Sequence, residues 1–140
     1  MFYHFEANYL AVFVAVVIQV VLGFLWYGPI FGKMWMGLMG ITKEKMEEGK
    51  AKGGMGKNYA IMTVSTIVMA YILAMFVYFA GSSTWAEGMK TGFLLWLGFL
   101  ATTMTGTVLW EGKPWKLYYL NVAYYLVGLC LMGGILAAWH

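Results

Sequence analysis

The chain contains no Arg and no Asp: its nine basic residues are all Lys and its six acidic residues are all Glu. The net charge of +3 is too small to point to a nucleic-acid partner. Charge of either sign is scarce, at 11% of residues, while 62% are hydrophobic. Soluble domains carry roughly 25% charged residues. A soluble fold of this size cannot hide so much apolar surface, so the solvent is lipid. The single cysteine, Cys130, lies in an apolar run and excludes an internal disulfide; it reads as a small buried hydrophobe. No H-E-x-x-H, cysteine pair, phosphate-binding loop or Ser/His/Asp set occurs. No catalysis, metal or cofactor is therefore expected. His4 and His140 with Glu6 could meet and bind a metal, but terminal histidines are more simply solvated.

Four apolar runs remain, at 8–27, 59–80, 89–110 and 117–139. Each has roughly 20 residues, the length a helix needs to cross a ~30 Å hydrocarbon core. Within them, only Lys90 carries charge, at the edge of the third. The expected fold is all-α, a single domain over 1–140: a bundle of four transmembrane helices with a loop at 28–58. The first run is expected to be retained, because its leader MFYHFEA has no basic region and no small-residue cleavage site follows.

Eight of the nine Lys fall in 28–58 and 111–116, and Lys90 alone falls elsewhere. By the positive-inside rule that side is cytoplasmic and both termini face out.

The aromatics fit this picture. LWYGPIFGKMW at 25–35 closes the first run, and LWEGKPW at 109–115 separates the last two. Trp26, Tyr27, Trp35, Trp110 and Trp115 are expected at the cytoplasmic headgroup level, where amphipathic rings settle. Pro29 and Gly28 should turn the chain. Phe31, Met34, Trp35 and Leu38 then follow at helical spacing, which suits a short interfacial helix after the first span. The Leu-Trp-x-Gly recurrence has two readings, a parallel internal repeat or two independent anchors, and the second needs fewer assumptions. Farther along the loop, Thr42 can cap and Gly49 stop a brief helix, and the Lys-rich remainder is a solvated tether.

FLWYGPIFGKMWMGLMG and WEGKPWKLYYLNVAYYLVGLCLMGGILAAW resemble the bacterial integral membrane family known as domain of unknown function 1761, over nearly the whole chain. The shared signatures are W-Y-x-P-x-F-G-K-x-W after helix one and E-x-K/R-x-W-K at the entry to helix four. The resemblance implies the four-helix layout and a bacterial cytoplasmic membrane. It implies no activity.

The polar residues inside the spans are neutral. Gln19 shares a face with Asn8, Ala15, Gly23 and Trp26. Helix three carries Gly88, Gly92, Gly98, Thr102, Thr105 and Gly106, with small-x-x-x-small spacing at Gly88/Gly92 and Thr102/Gly106. Helix four offers Asn121, Tyr125 and Gly128. Small residues let helices approach, and polar side chains bond across them. The expected function is association, with itself as a homo-oligomer or with another membrane protein in the bilayer. The alternative is a small oligomeric channel or transporter, with Gln19, Thr102, Thr105, Asn121 and Tyr125 lining a path for a neutral or anionic solute. No buried carboxylate or Lys is present to couple protons or ions.

Overall fold

The structure, a computed structural model, describes residues 6–40, 44–45, 47–48 and 54–139. Among these residues every regular element is helical. In order they are α1 (Tyr9–Leu25), α2 (Gly32–Met39), α3 (Gly54–Phe79), α4 (Trp85–Leu95), α5 (Gly106–Leu109) and α6 (Trp115–Ala138). Wider π-helical turns extend α1 over Trp26–Ile30 and α4 over Trp96–Ala101. Four stretches are long and apolar enough to cross a membrane: Tyr9–Ile30, Gly56–Phe79, Trp85–Leu109 and Trp115–Ala138. The second, third and fourth begin before the expected 59, 89 and 117. Lys57, Glu87 and Lys116 therefore join the starts of α3, α4 and α6, and Lys90 stays inside the third as expected. The brief helix expected between Thr42 and Gly49, and the two histidines, fall wholly or largely outside the described residues.

Local chemistry sets the ends. Asn8 caps α1, its side chain accepting from the Ala11 N–H at 3.2 Å. Gly81, at φ 73°, closes α3, and the Ser82 N–H reaches back to the Val77 carbonyl at 3.1 Å. Thr84 caps α4 by accepting from the Glu87 N–H, and the Glu87 carboxylate accepts from the Ser83 N–H. Pro29 does not end the first span as the sequence suggests. Its ring cannot sit under an ordinary helical carbonyl, so the turn widens. Gly28 takes φ −110° and ψ −106°, and the Phe31 N–H donates to the Trp26 carbonyl five residues back, at 2.9 Å. The chain turns only afterwards, into α2.

Helix α6 is the centre. Over half of its apolar window is buried, 56%, against 28% for each of the first two spans and 6% for the third. It packs on α1, α3 and α4. The core between them is small-residue rich, with Ala11 and Ala15 from α1, Ala70 and Ala74 from α3, and Met132 and Ala137 from α6. Outward-facing Phe13, Phe24, Val64, Val68, Phe99 and Tyr119 are well exposed. That surface is costly in water and costs nothing in hydrocarbon.

Candidate functional site between the first and last spans

α1 and α6 run antiparallel in one constant register, and their polar groups meet turn by turn. At one end the Asn8 Nδ2 donates to the Trp139 carbonyl at 3.2 Å, so one side chain caps α1 and ties it to α6. Midway, the Gln19 carboxamide lies against Gly128, in the space a Cβ there would fill. One turn on, Gly23 leaves room for Tyr124, whose hydroxyl donates to the Gln19 main-chain carbonyl at 3.0 Å. Each helix thus offers a glycine to the other's polar side chain. At the far end the Tyr27 hydroxyl donates to Asn121 Oδ1 at 2.7 Å, and the Trp26 indole N–H to the Leu120 carbonyl at 3.1 Å. The rings of Tyr27, Tyr124 and Trp35 pack edge to face around this end.

Gln19 stands apart in this seam. It is 1% exposed, and among the described residues neither its Oε1 nor its Nε2 has a hydrogen-bond partner. An apolar surrounding makes an unbonded amide cost roughly 2–7 kcal/mol.

A crevice of about 550 Å³ opens at the Asn8–Trp139 end. Glu6, Asn8, Ser82 and Ser83 give it a polar rim, and Ala11, Ala74 and Leu136 form its inner wall. Among the described residues, Lys33, Lys57, Lys113 and Lys116 lie toward the other end of the bundle, and Lys90 is the exception.

The second close contact joins α4 to α6. A Cβ on Gly88 would strike the Gly133 carbonyl, and one on Gly92 the Leu129 carbonyl. Here the two backbones touch. The Trp96 indole N–H donates to the Val122 carbonyl at 2.7 Å, and the Tyr118 hydroxyl to the Ala101 carbonyl.

Several residues expected to act together are apart. Thr102 and Thr105 turn their hydroxyls onto their own helix, to the carbonyls of Gly98 and Thr102 at 2.8 and 2.6 Å. Neither bonds to Gln19. Asn121 is engaged with Tyr27 instead. Tyr125 packs its ring at a tilt against that of Tyr124, centroids 4.9 Å apart, and Tyr124 is the residue that reaches α1. Gly98 has nothing within 4 Å of an added Cβ, and Gly106 only the indole of its own neighbour Trp110. Among the described residues, neither glycine presents its Cβ position to another span. Trp26 and Tyr27, assigned by the sequence to the headgroups, turn their polar atoms inward. Trp110 is 87% exposed, and Trp115 is exposed beside Tyr118. The sequence places Gly23 on the Gln19 face without pairing it to Tyr124, one turn from Gly128, and gives no sign that Gly133 meets Gly88. Among the described residues no three His, Cys, Asp or Glu stand together where they could hold a metal ion.

Four long apolar helices around a small-residue core define a multi-pass α-helical membrane protein. The family described as protein of unknown function DUF1761 matches residues 10–137, and the chain belongs to it. No curated protein and no solved structure matches the chain.

Proposed function

We propose that this protein works in a bacterial cytoplasmic membrane by pairing with a second copy of itself through the open face of its third span. The near-absence of burial in that span, 6% of its window, carries the reading. Its first half uses Gly88 and Gly92 to bring its backbone onto α6. The same four-residue spacing recurs at Gly98 and Thr102; among the described residues nothing lies within 4 Å of a Cβ on Gly98, and Thr102 is exposed. Residues 91–110 carry no charge, so two copies meet there without like charges opposed. In lipid, close approach of small residues is what drives association. No catalytic step and no cofactor enter this reading.

The test is Gly98→Leu. Its side chain enters open space in the single chain, so the melting temperature in detergent should stay at the wild-type value. Crosslinking in membranes should shift from dimer to monomer. Unchanged crosslinking would mean that this face meets lipid only.

The lysine bias supports an orientation with the 28–58 loop in the cytoplasm and both termini outside. In a Cys130→Ala background, Ser83→Cys should react with an impermeant maleimide in intact cells. Lys50→Cys should react only after permeabilisation. Labelling of both from outside would reject the orientation.

The solute-path alternative keeps a specific observation in its favour, the buried unbonded carboxamide of Gln19.

A further inference from the structure

We infer that Gln19 is a binding station on a path for a small uncharged molecule carrying a hydrogen-bond donor and acceptor together, entered from the crevice at the Asn8–Trp139 end. Water and primary amides such as urea and acetamide share that chemistry.

The station is defined by what its neighbours leave undone. The Tyr124 hydroxyl gives its one proton to the Gln19 main-chain carbonyl, which leaves it no donor for the carboxamide oxygen. Gly128 places no side chain against the amide. One acceptor and one two-hydrogen donor are thus held together, out of solvent and unbonded. A ligand that supplies the complementary pair removes a cost of several kcal/mol.

The route follows from the helix faces. Ala11, in the crevice wall, is followed one turn deeper on α1 by Ala15 and then by Gln19. Opposite, Leu136 is followed by Met132 and then by Gly128. Ala15 and Met132 are both at 0% exposure, so the way is shut at this level. Alanine can yield nothing further. Methionine is unbranched and turns about three side-chain bonds, which makes Met132 the movable part. Beyond Gln19 the seam is held by Tyr124, Tyr27 and Trp26, each bonded between α1 and α6, and passage requires these side-chain bonds to open. No charged side chain stands along α1 or on α6 beyond Lys116. An ion would therefore lose its hydration with nothing to replace it, and the ligand is neutral.

The test uses the full chain in liposomes, with permeability read by stopped-flow light scattering under gradients of sucrose for water and of urea or acetamide for amides. Wild-type vesicles should pass water, an amide or both severalfold faster than empty vesicles, and the solute that moves identifies the ligand. Gln19→Leu should return to background, Gln19→Asn should keep part of the flux, and Met132→Ala should exceed wild type. Gly98→Leu should conduct as wild type does, because each chain carries its own path. Wild-type vesicles no more permeable than empty ones would overturn the inference, as would full flux in folded Gln19→Leu. If Gln19→Leu does not fold, unchanged flux in Met132→Ala overturns the entry route. Passage of potassium or chloride would overturn the assignment to neutral ligands. Loss of flux in Gly98→Leu would place the path between chains and not within one.

Discussion

Gly92→Leu will leave no stable bundle to purify. The added Cβ alone falls on the Leu129 carbonyl group and close to the Cys130 nitrogen, and these are backbone atoms of the central helix. A flexible side chain could swing away; a helix backbone has to translate. Overpacking in cores that can adjust costs about 1–3 kcal/mol, and this contact exceeds that range because neither partner yields. The third span is held mainly on α6, through this contact and the Trp96 and Tyr118 hydrogen bonds, so a shift of the two backbones loosens most of what fixes it. Gly92→Ala should already lower the melting temperature sharply in detergent, and Gly92→Leu should elute as aggregate. Gly106→Leu, whose new atoms meet only the Trp110 indole, should melt near wild type. Equal melting of Gly92→Leu and wild type would show that α4 and α6 do not touch here.

Gly128→Leu comes next in expected size, and its damage should be partly repaired by Gln19→Ala. The leucine branch needs the space that the Gln19 carboxamide occupies. That carboxamide is the end of a flexible chain, but at 1% exposure it has nowhere polar to go. The single variant should lose about 1–3 kcal/mol. Removing the amide vacates the space and also removes an unbonded polar group. The double variant should therefore be more stable than the sum of the two single changes, by about 0.5–3 kcal/mol. Thermal melting of the four proteins in one detergent gives the coupling. Strict additivity would mean that the two side chains do not share a volume.

The membrane spans were legible because length and lack of charge are one-dimensional properties. The short helix at Gly32–Met39 was legible because Phe31, Met34, Trp35 and Leu38 keep helical spacing against a Lys. Faces were harder. α3 and α6 are apolar all round, so periodicity cannot say which side of α6 meets which neighbour. The Gly88/Gly92 spacing could be read, but its mate at Gly133 stands in a run where Gly, Leu and Ala alternate without an obvious stripe. Thr102 and Thr105 misled because a threonine hydroxyl in a helix can satisfy itself on the carbonyl three or four residues back. Tyr124 and Tyr125 are adjacent and chemically alike, and only the register against Gly23 separates them. The wide turns at Trp26–Ile30 and Trp96–Ala101 leave no compositional mark beyond Pro29.

The central place of α6 also has a consequence in time. A ribosome delivers α1, α3 and α4 before the helix they all pack against exists. Until then the flat face at Gly88 and Gly92 has no counterpart, and the Trp26 indole and Tyr27 hydroxyl have no carbonyl or amide to meet. Gln19 waits in the same condition. The first three spans are thus inserted as a loose set, and the bundle closes around the last arrival. A nascent chain stalled short of Trp115 would carry every crossing but one, with α1 already against α3 but none of the contacts that α6 makes with the other three.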